Sequence, residues 1–174
     1  MQEIDVPEAP KLPNGRPDST FAYRYYKAHY FDYIDFTDER MLRTPIFHQK
    51  LDFYLEKLAW PHPDSVAKEC IYLIEKARSN KDMFRYLVAQ FTYQYETSKV
   101  VGHDAVFVAL GKKYYLTKEA FWAHDTVVAK FEKRIKALDP LLIGKKAPNL
   151  IMQNLNGQLQ ALHNVKARFT ILFF

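Results

Sequence analysis

The side chains best suited to chemistry in this chain are one cysteine, Cys70, and six histidines. A thiolate is a nucleophile and a metal ligand, and an imidazole is a metal ligand and a general base. The histidines are His29, His48, His62, His103, His124 and His163. No two of them have the four-residue spacing of a helical zinc site, and none has a cysteine nearby. We therefore predict no metal ligand, no cofactor-binding residue and no catalytic residue in these 174 residues.

Three acidic residues, Asp35, Asp38 and Glu39, form a second candidate for chemistry. Carboxylates that converge in space can act as general acids and bases or bind cations. These acids and Thr37 also precede a short helical turn, where they would cap the turn and face solvent. We favour capping and solvation. The sequence has no G-x-S-x-G motif, so it gives no support to a hydrolase.

Aromatic residues are concentrated between Ser19 and Phe36. They are Phe21, Tyr23, Tyr25, Tyr26, Tyr30, Phe31, Tyr33 and Phe36. The tyrosines at positions 23, 26, 30 and 33 recur every three or four residues and would share one side of a helix. Such a row could be a platform for a sugar, a base or a peptide, helped by Arg24 and Lys27, or it could pack in the core. We favour core packing, the usual role of aromatics at this spacing.

The elements that must position these residues are mostly helices, since apolar residues repeat every three or four positions over residues 19–140. The predicted helices span roughly residues 19–34, 45–58, 64–78, 81–98 and 117–138. A further short helix falls within residues 102–114, with a strand as the alternative. Cys70 lies on an inner face, where a lone cysteine acts as a small hydrophobe. The last helix would bury Phe121, His124, Val127, Val128, Phe131, Ile135 and Leu138.

Composition narrows the partners that the chain can have. The formal net charge of +5 comes from 25 basic and 20 acidic residues that are mixed along the chain, so we predict no nucleic-acid partner. Residues 1–18 contain four prolines and predict an extended tether, with a frayed terminus as an equal alternative. No apolar run is long enough to span a membrane, and no signal peptide is visible. The chain is then either cytosolic or an exported protein whose targeting segment has been removed.

The C-terminal residues 141–174 have the pattern of β-structure. Asn149 to Gln153 and Gln158 to Leu162 flank the turn signal Asn156-Gly157, which predicts a β-hairpin. Phe169 to Phe174 is apolar at nearly every position and predicts a strand that is buried on both faces. Three strands without covering helices cannot bury such a strand, so this part predicts the opening of a domain.

Several short motifs occur in this C-terminal part: Gly144-Lys145, Ala147-Pro-Asn-Leu150, Asn154-Leu-x-Gly157, Leu162, Val165-Lys166 and the closing FTILFF. Together they resemble the start of a thioredoxin-fold domain. The closest likeness is to thiol-disulfide oxidoreductases of the TlpA kind, with the AhpC/TSA (peroxiredoxin) group as neighbours. The segments DFTDERMLRTPIF, YETSKVVGHDAVFVAL and KYYLT and the pair Phe121-Trp122 resemble the helical domain of uncharacterised function that precedes the thioredoxin domain in one branch of these enzymes.

This resemblance implies a fold and an activity. The expected fold class is mainly α, with a helical domain over residues 19–140 followed by the truncated hairpin and strand of a thioredoxin-like α/β domain. In that family the apolar strand leads into C-x-x-C at a helix N-terminus, which activates the first thiol. The chain ends at Phe174, before that motif, so it should be the inactive N-terminal fragment of an oxidoreductase. The helical domain would position or screen the redox site.

The alternatives are a helical protein-binding or dimerisation module without catalysis, and an aromatic module that binds glycans or peptides. Protein thiols and disulfides would be the partners of the parent enzyme, in the periplasm or cell envelope after removal of a signal or anchor segment, with the cytoplasm as the alternative. Any membrane tether would lie upstream of the chain. The uncovered strand Phe169 to Phe174 could pair between chains and form a homo-oligomer.

Overall fold

The computed structural model describes residues 4–153 and 156–171 of the chain. Its α-helices are α1 (Phe21–His29), α2 (Pro45–Phe53), α3 (Pro63–Lys76), α4 (Lys81–Glu96), α5 (His103–Leu110) and α6 (Asp125–Leu138). A 3-10 helix, Glu39–Arg43, precedes α2, and the π-helical turns Tyr54–Leu58 and Gly111–Tyr115 extend α2 and α5. Strands β1 (Ile151–Gln153) and β2 (Leu159–Ala161) pair antiparallel. The predicted mainly helical architecture with a small C-terminal hairpin is confirmed.

Helix α3 is the centre of the core. It packs against α4 and α5, and its residues Cys70, Leu73 and Ile74 have no exposed surface. The apolar stripes predicted for α2, α3 and α4 are buried: Phe47, Leu51, Tyr54, Leu55, Leu58, Val66, Cys70, Leu73, Ile74, Ala77, Phe84, Leu87, Val88, Phe91 and Tyr95. Full burial of a Val, Leu, Ile or Phe side chain contributes about 1.5 to 3 kcal/mol, so these stripes strongly favour folding.

Local sequence signals determine where these helices begin. Thr44 precedes Pro45, which takes the first position of α2, where its missing N–H leaves no hydrogen bond unmade. The Asn80 side chain accepts hydrogen bonds from the backbone N–H groups of Asp82 and Met83 and so caps α4. The predicted starts of α2 and α4 are therefore confirmed.

Helix α1 is shorter than predicted, because it ends at His29 instead of continuing to residue 34. The chain turns after Tyr30, and this turn directs several aromatic rings into the core. The Phe31 ring lies 4.8 Å from that of Tyr54 and 5.3 Å from that of Phe36, between ring centroids. A continuous helix would hold Phe31 and Phe36 on different sides. Aromatic packing therefore overrides the helical periodicity here.

The predicted helix within residues 102–114 is confirmed, but Gly111 does not end it. The helix continues through Gly111 as a π-helical turn to Tyr115. A Cβ at Gly111 would lie 2.7 Å from Cδ1 of Ile135. Glycine at this position therefore permits the close approach of α5 to α6, and it is not a C-cap.

The final helix begins at Asp125, so the prediction that it starts near Thr117 is wrong. Lys118 has φ +62°, a left-handed conformation that interrupts a right-handed helix, and the backbone N–H of Ala120 donates to the Tyr114 carbonyl. Glu119 forms an ion pair with Arg78, which lies in the connection between α3 and α4. The distance from Arg78 Nη1 to Glu119 Oε2 is 2.6 Å. These interactions fold residues 116–124 back across the helices.

The buried stripe predicted for the final helix is consequently confirmed only in part. Val128 is partly buried, whereas His124 and Val127 are exposed. Ile135 is buried, and Phe131 and Leu138 are partly buried, whereas Phe121 is 59% exposed. The Phe131 ring stacks on Tyr115 with 3.9 Å between ring centroids. One narrow side of α6 therefore contacts the core, and the side that carries Val127 faces outward.

The predicted hairpin is confirmed, with Ile151 opposite Ala161 and Gln153 opposite Leu159. Residues 154 and 155 of the connection between the strands lie outside the described residues. Gly157 has φ +76°, as a turn glycine requires. Of the predicted strand Phe169 to Phe174, residues 169–171 are not in a strand, and residues 172–174 lie outside the described residues. Phe169 and Ile171 are largely exposed.

The proline-rich N-terminal segment is irregular over residues 4–10, but it then forms a compact loop in which Lys11 bridges to Pro17. Gly15 takes φ +76° at the tip of this loop. The loop differs from an extended tether, because the backbone N–H of Asp18 donates to the Pro10 carbonyl and closes it. The domain boundaries at residues 18 and 140 stay predictions.

A polar cluster joins α3 to the segment that precedes α6. Arg78 donates to both carboxylate oxygens of Glu75 at 2.8 and 2.7 Å, and the Tyr114 hydroxyl donates to Glu75 at 3.0 Å. Arg78 also pairs with Glu119. The hydrogen bond from Arg78 holds the pKa of Glu75 below its ordinary value. This cluster fixes the turn that delays the start of α6.

We expect Glu75→Gln to destabilise the protein in a pH-dependent manner. The pKa of Glu75 is lowered in the folded state, so its contribution is full above the unfolded value near 4.5 and is lost as pH falls through the folded value. Urea unfolding of wild type and variant should differ at neutral pH and converge in acid. Because the carboxylate is more than a third exposed, the difference should be modest. A difference that is constant from acid to neutral pH would contradict this assignment.

A second prediction concerns the contact of Gly111 with Ile135. Gly111→Ala should destabilise by roughly 1 kcal/mol, because overpacking costs more than the alanine gains in helix propensity. Ile135→Val removes the Cδ1 atom that the new methyl group would meet. Ile135→Val should therefore lower the free energy of unfolding by less in the Gly111→Ala background than in the wild type. Urea denaturation of both single variants and the double variant measures this coupling, and additive effects would contradict the steric explanation.

Candidate functional site

The aromatic platform that the sequence indicated lies in a cleft between α1 and α3, with a volume of about 350 Å³. Helix α1 contributes Tyr23, Arg24 and Lys27, and α3 contributes Glu69 and Tyr72. The predicted row of tyrosines is divided by the turn after α1: Tyr30 is buried, whereas Tyr23 and Tyr33 are exposed. Core packing is therefore the role of part of the row only.

Several polar groups of the α1/α3 cleft are bonded to other groups of the protein. Lys27 Nζ lies 2.5 Å from Glu69 Oε1, and the Tyr54 hydroxyl donates to the other oxygen of Glu69 at 2.8 Å. The Tyr23 hydroxyl donates to the Leu58 carbonyl at 2.6 Å. A ligand would have to displace these bonds, so the arrangement favours a structural connection that holds α1 onto α3.

The acidic cluster does not form a joint site. Asp35 accepts hydrogen bonds from the backbone and hydroxyl of Thr37, and these bonds lower the pKa of Asp35. Asp38 caps the 3-10 helix by accepting from the Arg40 backbone and side chain, which lowers the pKa of Asp38. Glu39 faces a different cleft. Capping is thus the role that the structure shows for Asp38.

Cys70 is fully buried on the inner face of α3, as predicted. Burial raises the pKa of the Cys70 thiol, so the nucleophilic thiolate is disfavoured. Within residues 4–153 and 156–171, no three His, Cys, Asp or Glu side chains are grouped so that they could hold a metal ion. The arrangement around Cys70 therefore favours packing and opposes thiol chemistry.

A larger open groove, of about 660 Å³, lies between the 3-10 helix and α4. The residues that line it are Glu39, Leu42, Arg43, Asp82, Arg85, Tyr86, Ala89, Gln90 and Tyr93. Sequence reasoning did not identify this site. The available signal was a second stripe along α4, at positions 82, 85, 86, 89, 90 and 93, which has helical spacing and mixed polarity. Its opposing wall depends on where the 3-10 helix packs, which the sequence does not reveal.

One side chain of this groove is held firmly. The Tyr86 hydroxyl and His48 Nδ1 lie 3.2 Å apart, and His48 Nε2 lies 3.3 Å from Asp52. Burial raises the pKa of Tyr86, which keeps its hydroxyl protonated. The Tyr86 ring also lies 6.4 Å from that of Phe47, between centroids. The groove thus has a pre-positioned aromatic wall, which reduces the entropy lost when a ligand binds.

The described part of the chain is a helical module with a buried thiol and an open groove of mixed polarity between the 3-10 helix and α4. It belongs to the family described as "Domain of unknown function (DUF5106)", whose sequence profile matches residues 2–135. No curated protein matches the chain, and no solved structure matches it. Among the described residues, no helix has the length and apolar character needed to cross a bilayer.

We expect the Cys70 thiol to react with a disulfide reagent such as DTNB at least about a hundredfold more slowly in the native protein than in the denatured protein, because reaction requires opening of the core. The absorbance of the released thiolate follows the reaction. One thiol per chain should react immediately in concentrated guanidinium chloride, which serves as the control. Equal rates in the native and denatured proteins would contradict the burial of Cys70.

Proposed function

We propose that this chain is the non-catalytic N-terminal part of a thiol-disulfide oxidoreductase, and that its helical domain positions or screens a C-x-x-C site encoded beyond Phe174. The observation that carries this proposal is the C-terminal sequence from Gly144 to Phe174. Its motifs resemble the opening of a thioredoxin-like domain of the TlpA kind. A β-hairpin forms within it, which is compatible with that resemblance.

The burial of Cys70 supports a parent protein in which the helical domain carries no redox chemistry and a following domain does. A redox-active cysteine needs an exposed thiolate that is stabilised by a helix N-terminus or a nearby cation. Cys70 is buried within α3, and its thiol pKa is raised. Thiol chemistry in the parent protein would therefore use cysteines outside these 174 residues, and the helical domain would act on the substrate or the partner.

Ion pairs surround the joint between the helical domain and the proposed following domain. Asp139, at the end of α6, contacts Lys112 Nζ at 2.8 Å and Lys145 Nζ at 2.6 Å. Both lysines lower the pKa of Asp139 through hydrogen bonds, so the carboxylate stays ionised. These contacts connect α6, the π-helical turn after α5 and the start of the C-terminal part. They would restrain the direction in which a following domain leaves the helices.

A second candidate function is binding by the helical domain alone, without catalysis. The open groove between the 3-10 helix and α4 favours it, because Arg43 and Arg85 face that groove without an ion-pair partner among the described residues. The two candidates are compatible, since a binding module can present substrates to a neighbouring redox domain. Protein thiols and disulfides would then be the partners of the parent protein.

Two further features remain proposals. The parent protein would act in the periplasm or cell envelope, with the cytoplasm as the alternative, and cell fractionation distinguishes these locations. Pairing through Phe169 to Phe174 would produce a homo-oligomer, and light scattering of the chain with and without these residues tests it. The exposed side chains of Phe169 and Ile171 are the observation that favours such pairing.

We expect the natural gene product to contain a C-x-x-C pair beyond Phe174 and to reduce insulin disulfides in the presence of dithiothreitol. Peptide mapping by mass spectrometry detects the pair, and the turbidity of insulin B chains reports the activity. The 174-residue chain should be inactive, because its cysteine is buried. A Cys70→Ala variant of the full product, which lacks only the buried thiol, should keep full activity.

Two results would refute the oxidoreductase proposal. The first is a natural product without paired cysteines. The second is a full-length Cys70→Ala protein that folds, as circular dichroism would establish, but has lost its activity. The second result would assign the chemistry to the helical domain itself.

A further inference from the structure

Two guanidinium groups, those of Arg43 and Arg85, line the groove between the 3-10 helix and α4 and form no ion pair among the described residues. Half of the eight arginines contact carboxylates: Arg24, Arg40, Arg78 and Arg134. A guanidinium presents five donors in a planar fork that matches a carboxylate. The two groove arginines are therefore available to a ligand.

The acidic residues of the groove restrict what that ligand can be. Glu39 lies four residues before Arg43, and Asp82 lies three before Arg85. Asp82 and Arg85 have a spacing at which ion pairs commonly form on an α-helix, yet neither this pair nor the pair in the 3-10 helix makes a salt bridge among the described residues. Two acids and two arginines give the lining no net formal charge. Net attraction for a small inorganic anion is thus weak, and binding must come from oriented hydrogen bonds together with apolar contact.

The shape of the groove indicates an extended occupant. Its lining on α4 runs from Asp82 to Tyr93, and the eleven steps between them at about 1.5 Å each give about 17 Å. An extended chain rises about 3.3 Å per residue, so about five residues span this length. Backbone amides of such a segment would also find the side-chain amide of Gln90. An open trough of this kind fits a peptide better than it encloses a small metabolite.

Apolar and aromatic surface completes the site. Leu42 and Ala89 line the groove, and the Tyr93 side chain is 65% exposed at its far end. Tyrosine offers a large, rigid surface with little loss of rotational freedom on binding. The charged end and the aromatic end are separated along α4, which gives the groove a direction.

We propose that this groove binds an extended peptide segment of about five residues, with an acidic side chain held by Arg43 and Arg85 and an apolar or aromatic side chain placed on Tyr93. The proposal deepens the binding role given above as the second candidate function and rests on it. It does not depend on the oxidoreductase proposal. The groove shares no lining residue with the α1/α3 cleft.

An array of acetylated and amidated pentapeptides, in which Asp, Asn, Leu and Tyr vary at each position, tests this with the labelled 174-residue chain. Peptides that contain Asp should be retained, and replacement of that Asp by Asn should weaken binding at least about tenfold in fluorescence anisotropy. The double variant Arg43→Gln/Arg85→Gln should show the same loss. Arg40→Gln is the matched control, because Arg40 lies on the same 3-10 helix but outside the groove lining.

The possible outcomes distinguish the peptide-binding groove from the more general proposal that the helical domain is a binding module. Retained peptides that bind the double variant or their Asn counterparts equally well overturn the groove assignment, while the helical domain remains a binding module through another surface. An array without any retained peptide overturns the groove assignment and removes the observation that favours the second candidate. The substituted arginines are exposed, so the variants should fold, and urea unfolding verifies it.

Discussion

The enclosure of α3 is the constraint on which the rest of the structure depends. Its inner residues Cys70, Leu73 and Ile74 have no exposed surface, so α4 and α5 must pack against this helix. Two carboxylates of α3, Glu69 and Glu75, lie at the margins of this apolar surface and are hydrogen-bonded by tyrosines. Apolar burial provides the free energy, and the carboxylate contacts determine which segments lie at the edges.

This enclosure also explains why the cysteine is chemically silent. A thiol on the buried face of α3 contributes packing, and making it reactive would require opening the core. Groups that remain free for recognition must lie on surfaces directed away from α3. The groove along α4 meets that condition, because α4 buries Leu87, Val88 and Phe91 on one face and presents Arg85 and Tyr93 on the other.

The sequence predicted those parts of the fold in which local signals and burial agree. The apolar stripes of α2, α3 and α4 have strict helical spacing, and Pro45 and Asn80 mark helix starts with their own chemistry. The prediction was wrong where a contact between residues distant in sequence determines a helix boundary. The start of α6 depends on the contact between Arg78 and Glu119, which no local pattern reveals. Gly111 resembled a helix terminator because its role, the approach to Ile135, involves a residue far along the chain.

The candidate site was less predictable for the same reason. The aromatic residues near α1 are conspicuous in composition, but Lys27 and Tyr23 make contacts within the protein. Nothing in the sequence distinguishes the arginines of the groove. What distinguishes them is structural, because they line the groove and contact no carboxylate among the described residues. Composition reveals unusual residue types. A binding site also needs polar side chains that are not already bonded within the protein, and these are visible only in the structure.

The π-helical turns Tyr54–Leu58 and Gly111–Tyr115 limit which changes in chain length the fold can accept. Each turn accommodates one residue more than an α-helical turn would, and each contains a tyrosine whose hydroxyl reaches a carboxylate of α3. Deleting one residue before Tyr114 would rotate that ring by about 100° away from Glu75, and deleting one after Tyr54 would displace the buried Leu58. Insertions and deletions should therefore be tolerated in the connecting loops and rejected at these two positions.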